Sequence, residues 1–173
     1  ILVKCRCGGG KSTIARQLAF QYSKKRILYL VSSRPLSIGA TAKLNTTESF
    51  RKDLNFKSYL ETDKPLHQFD HLCCSVQSLW RCARIKKIPY QLIICDELSS
   101  IIQDLTNVTT HHPKESQDAL RFFSESCEKW IGLDAHLMDT SLDLVSAYFK
   151  PDETRILWNH NKGPRRNAVF IPR

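Results

Sequence analysis

The sequence predicts an α/β fold, a mostly parallel sheet with helices on both faces. Three observations predict it. Short aliphatic runs alternate with amphipathic segments along the chain, the pattern of a buried parallel sheet covered by helices. The first run breaks into a glycine cluster, CRCGGGKST over residues 5–13, which opens straight into a helix-like segment. A later run, QLIICDEL over residues 91–98, drives four apolar residues into two adjacent carboxylates.

The elements follow in order. Ile1–Cys5 reads as a strand that feeds the glycines. Lys11–Lys24 sets Ile14, Ala15, Leu18, Ala19 and Tyr22 at helical spacing. Arg26–Ser32 is a second strand. Thr46–Leu60, with Phe50, Leu54 and Phe56, reads as moderately helical. His71–Val76 is a third strand and Ser78–Arg84 a short helix. Gln91–Asp96 is a fourth strand, and Leu105–Pro113 reads as a surface loop containing the His111-His112 pair. Lys114–Lys129 aligns Leu120, Phe123 and Cys127 on one stripe, a helix. Trp130–Ala135 is a fifth strand. Met138–Phe149 is a helix that stops before Pro151. Thr154–Trp158 and Ala168–Ile171 are late strands around a polar NHNKGPRRN loop. The sequence thus reads as one lobe over residues 1–151, with residues 152–173 starting a linker.

Composition narrows the function classes. A chain of 173 residues with 42% hydrophobic and 25% charged side chains is an ordinary globular domain. No apolar run reaches the ~18–20 residues of a membrane-spanning helix. The start carries no charged-then-apolar leader and reads as a cut at the edge of a strand. Residues 1–60 hold 12 basic and 2 acidic side chains, within a formal net charge of +9. That asymmetry suits a polyanion partner, nucleotide phosphate or nucleic acid; a solvated basic face is the plain alternative. Seven cysteines, Cys5, Cys7, Cys73, Cys74, Cys82, Cys95 and Cys127, show no zinc spacing, and several sit inside apolar runs. An intracellular, reducing setting is expected.

Two motifs carry chemistry. CRCGGGKST fits a phosphate-binding loop of the form A-x-x-G-x-G-K-[ST], with Cys5 as the small first residue. Gly8, Gly9 and Gly10 let successive N–H groups turn toward phosphate oxygens, and the helix that follows adds its positive N-terminus. Lys11 supplies a point charge for the β and γ phosphates. The Ser12 hydroxyl suits Mg²⁺, and Thr13 follows as a helix residue. The expected ligands are therefore ATP and Mg²⁺. A tight strand-to-helix turn is the plain alternative. In the second motif, a buried strand ending in Asp96 and Glu97 is costly unless the sheet edge uses them. Asp96 could hold Mg²⁺ while Glu97 orients and deprotonates water, or Asp96 could simply cap a helix.

Taken together, these segments resemble the helicase domain of the herpesvirus-type replication origin-binding proteins, within helicase superfamily 2. ILVKCRCGGGKST looks like the first motif of that family, and ILYLVSSRPLSIGATAKLN like its next, a strand ending in a Ser/Arg turn. CCSVQSLWR is similar to a Q-x-x-S-L-x-R segment with Gln77 displaced. LIICDELSSIIQDL carries Asp96, Glu97 and Ser100 in place, and WIGLDAHLMDTSLDL carries Asp134, Ala135 and Leu137. His136 stands where the family has a small or acidic residue.

The resemblance implies the first RecA-like lobe of a helicase that hydrolyses ATP and moves on DNA at an origin. It implies Gly8, Gly10, Lys11 and Ser12 on the triphosphate, Ser12 and Asp96 on Mg²⁺, and Glu97 as general base. Asp134, Ala135 and His136 would relay the nucleotide state. Ser33, Arg34 and the Ser78–Arg81 segment would touch the backbone of single-stranded DNA or an origin duplex. A second lobe of the parent chain would complete the cleft, so this lobe alone is expected to turn over slowly. A nuclear location goes with that expectation. Plainer readings stand beside it: Ser33-Arg34-Pro35 as a turn, Arg81 and Arg84 as a solvated face, Asp134 as a cap of the next helix, and Trp80 as core rather than a stacking platform. A lobe that binds without hydrolysis and a phosphate-loop kinase are the competing function classes.

Overall fold

Residues 1–6, 9–46, 54–84, 86–107, 111–137, 139–148 and 154–158 are described by the structure, a computed structural model. Strand β1 (Leu2–Lys4) leads into helix α1 (Lys11–Gln21), then β2 (Ile27–Val31) and α2 (Arg34–Asn45). A short β3 (Lys57–Ser58) and β4 (His71–Ser75) precede a 3₁₀ turn and α3 (Trp80–Ala83). Next come β5 (Leu92–Asp96), α4 (Leu98–Thr106), α5 (Pro113–Ser126) and β6 (Lys129–Asp134). Helix α6 (Asp139–Tyr148) and β7 (Ile156–Trp158) follow. The seven strands of the described residues form one parallel sheet in the order β3-β4-β2-β5-β6-β1-β7. Strand β7 pairs with β1, so the sheet runs past residue 151.

Side-chain alternation along each strand divides the core in two. Leu28, Leu30, Ile93 and Cys95 point to one face, where Leu98, Ile101, Leu105, Leu120, Phe123 and Val145 from α4, α5 and α6 cover them. Ile27, Tyr29, Val31, Leu92 and Ile94 point to the other. The helices on that second face bury smaller groups: Ala15 and Ala19 from α1, and Ser37, Thr41 and Leu44 from α2. No helix among the described residues is long and apolar enough to cross a membrane.

Three segments depart from the sequence reading. Helix α2 replaces the turn expected at Ser33–Arg34. Its buried stripe of Ser37 and Thr41 is polar, with the hydroxyls donating to Arg34 O and Ser37 O, so no apolar period announces it. The helix expected over Thr46–Leu60 is not seen in its described part. The chain runs without regular structure from Leu54 into β3, and Asn45 clamps Phe56 by two bonds, Nδ2 to Phe56 O at 2.8 Å and Phe56 N to Oδ1 at 2.9 Å. Phe50 and Ala168–Ile171 lie outside the described residues. Part of the expected loop at Leu105–Pro113 is helical instead, since α4 runs to Thr106 and α5 starts at Pro113.

Candidate nucleotide-binding site

The described residues on either side of Cys7 and Gly8 are pinned together at the C-terminal end of β1. Cys5 N donates to Asp134 O at 2.8 Å, and the Cys5 thiol donates to Gly9 O at 2.8 Å. Gly9 N donates to Arg6 O at 2.9 Å. A Cβ on Gly9 would lie 2.4 Å from Cys5 Sγ and 2.9 Å from Arg6 O, so only glycine closes the turn. Gly10 caps α1 at φ 93°, a left-handed backbone that glycine adopts without strain. Lys11, Ser12 and Thr13 then form the first turn of α1, where unpaired N–H groups and the helix dipole favour an anion. Gly8, the remaining loop glycine of the motif, lies outside the described residues.

The acidic pair ends β5, whose neighbour β6 lies beside β1. A cleft of about 480 Å³ is lined by Lys11, Ser12 and Thr13 on one side and Asp96 and Glu97 on the other. The cleft extends between α1 and α2, past Arg16 and Lys43. Helix α4 starts at Leu98 with Glu97 at its N-cap position and no side-chain capping bond, so the helix-cap reading of Asp96 does not hold. Glu97 is exposed and takes φ 59°, ψ 63°, a left-handed backbone that costs a non-glycine residue about 1–2 kcal/mol. The Tyr29 hydroxyl donates to Asp96 Oδ2 at 2.9 Å. Among the described residues, no group of three or more His, Cys, Asp or Glu could hold a metal alone. A hydroxyl and a carboxylate in one phosphate-sized cleft nevertheless fit Mg²⁺, which takes one or two protein oxygens and fills its sphere with phosphate and water.

Asp134 ends β6, between the loop and the acidic pair. It is 4% exposed. Its Oδ2 accepts from Ser99 N at 2.6 Å and its Oδ1 from His136 N at 2.8 Å. Ser99 Oγ donates to His136 O at 3.1 Å and meets Ser141 Oγ at 3.2 Å. Burial opposes ionisation of Asp134. The Ser99 side chain, the two N–H groups and the Lys11 charge outweigh it and hold the carboxyl below its ordinary value. Asp134 therefore caps a helix, but that helix is α4, the one behind the acidic pair, rather than the next one in sequence. His136 joins this network through its backbone, and Ala135 is half-buried beside it.

The residues expected to face DNA are less uniform. Ser33 is the N-cap of α2 without a side-chain capping bond, and Arg34 is exposed as the first residue of that helix. Arg81 is exposed on α3, its guanidinium 5.6 Å from the Tyr59 ring centroid. Ser78 is 7% exposed and turned into the molecule. Trp80 is half-buried, with its ring 4.2 Å from that of His112. Three contributors to the site had no role assigned to them within the motifs: Tyr29, Ser99 and Ser141. The readable signal was a tyrosine inside an aliphatic buried strand, whose hydroxyl needs a partner.

No curated protein sequence matches the chain. Solved structures do, at the level of fold. The SWI2/SNF2 ATPase core of Sulfolobus solfataricus, in complex with dsDNA, superposes with a TM-score of 0.58 at 20% identity, over 83% of this chain and 29% of that one. A Dbp5 variant of S. cerevisiae gives 0.69 at 10% identity, over 92% of this chain and 42% of that one. A DEAD box protein of Methanococcus jannaschii gives 0.59 at 12% identity, over 91% and 44%. The chain thus spans less than half the length of each of these and has the fold of a RecA-like helicase lobe. The model of the family described as origin of replication binding protein matches residues 2–159, nearly the whole chain, and the chain belongs to that family.

Proposed function

We propose that the chain is the ATP-binding lobe of a DNA helicase or translocase that acts at a replication origin. The observation that carries this reading is the single cleft joining Lys11, Ser12 and Thr13 to Asp96 and Glu97. The N–H groups at the start of α1 bind the phosphates, and the Lys11 ammonium neutralises their charge. Ser12 and Asp96 would hold Mg²⁺, which when bound screens the phosphate charge that develops during transfer. Glu97, exposed at the mouth of the cleft, takes the proton of the attacking water. Asp134 ties α4 to the end of β6, so movement at the acidic pair is passed to the Ala135–His136 turn.

DNA contacts fall to Ser33, Arg34 and Arg81 along the same sheet edge. The basic first third of the chain adds an attraction that is blind to sequence and sensitive to salt. Ser78, being buried, would hold its turn rather than touch the strand. A second lobe in the parent chain would close the other side of the cleft and supply arginines to the transition state; the nucleus is the proposed setting. The test is calorimetric titration of ATP with Mg²⁺ into the wild-type chain and Lys11→Ala. Loss of a charge-assisted contact should weaken binding by about 2–3 kcal/mol. Equal binding by the two chains would sink the reading.

A further inference from the structure

Strand β2 reads ILYLV, and its tyrosine is out of keeping with its neighbours. Tyr29 is 2% exposed, so its hydroxyl must be paired inside the molecule. In the sheet register Tyr29 lies opposite Ile94 of β5. Side chains alternate along a strand, so Asp96, two residues beyond Ile94, projects on the same face. The phenol reaches up that face and donates to Asp96 Oδ2 at 2.9 Å. The ring is steadied edge-on by Phe56, with centroids 6.4 Å apart at 82°. Tyr29 also lines the cleft that holds Ser12.

We propose that Tyr29 is a positioning residue for the metal–nucleotide complex: its hydroxyl fixes Asp96 Oδ2 and thereby sets Oδ1 toward the cleft. The proposal rests on the reading of Asp96 as a Mg²⁺ ligand. A free carboxylate at a strand end samples several rotamers, and a ligand to a small, geometrically demanding cation must adopt one. Removing the hydroxyl leaves the carboxylate in place but unfixed, so metal dependence suffers while nucleotide binding without metal does not.

The experiment is calorimetric titration of ATP into the wild-type chain, Tyr29→Phe and Tyr59→Phe, in EDTA and over a series of Mg²⁺ concentrations. Tyr59 is a matched control, a buried tyrosine whose hydroxyl lies 2.9 Å from Ser75 Oγ. Phenylalanine fills the same space, and thermal unfolding of both variants checks that they are folded. The expected result is unchanged binding in EDTA for all three chains. For Tyr29→Phe alone, the Mg²⁺ needed for half of the metal-enhanced affinity should rise about tenfold, the loss of one hydrogen bond to a charged group. The same Mg²⁺ dependence in Tyr29→Phe as in the wild type overturns the positioning role. So does an equal shift in Tyr59→Phe, which marks general loosening. A wild-type chain that binds ATP with no enhancement by Mg²⁺ overturns the metal reading of Asp96, and the positioning role with it.

Discussion

Glu97 pays for its position in the backbone. Its left-handed φ of 59° stores strain at a residue that lines the cleft. Glu97→Gly should therefore relieve strain and leave the fold as stable or up to about 1 kcal/mol more stable, while abolishing hydrolysis. Glu97→Gln should keep the strain and ATP binding and lose hydrolysis. Urea unfolding and steady-state hydrolysis check both; a Glu97→Gly chain clearly less stable than the wild type would show that the side chain, not the backbone, is what matters there. At this scale Lys11, Ser12, Asp96 and Glu97 were legible because each belongs to a contiguous motif. Tyr29 and Ser99 were not, because their partners stand 67 and 35 residues away and only the sheet register brings them together.

Among elements, the junction of β6 and α4 concentrates charge chemistry. One buried carboxylate accepts N–H groups from the start of α4 and from the turn after β6. Because the folded carboxyl of Asp134 is held below its ordinary value of 3.8, its contribution is full above that value and is lost as pH falls through the folded one. Asp134→Asn should cost about 1–3 kcal/mol near neutral pH, the scale of hydrogen bonds to a charged acceptor. The gap between wild type and variant should narrow as pH falls below 3.8 toward the folded value. Urea midpoints at each pH measure it, and a gap that stays constant would mean that the charge contributes nothing. Helix α4 itself was within reach of the sequence, since Leu98, Ile101 and Leu105 follow a helical period. Helix α2 was not, because a stripe of Ser37 and Thr41 looks like surface until the hydroxyls are seen bonded to the helix's own carbonyls.

Across the whole molecule, the α/β class followed from alternating runs, but the strand order did not. The chain leaves β1 for β2 and later fills the gap with β5 and β6, a jump that no local pattern records. The helices over the two faces of the resulting sheet contribute different buried side chains: Leu98, Ile101, Leu105, Leu120, Phe123 and Val145 from α4, α5 and α6, against Ala15, Ala19, Ser37, Thr41 and Leu44 from α1 and α2. Less buried apolar volume means a lower free energy of local opening. Amide hydrogens of α1 and α2 should thus exchange with deuterium well before those of α4 and α5, and saturating nucleotide should slow the first pair most. Exchange of all four helices in a single step would contradict this. The cleft lies along α1 and α2, the layer expected to open first. That layer can breathe around a ligand while the other, firmly anchored, keeps the acidic strand end still, so opening and holding are assigned to opposite sides of one sheet.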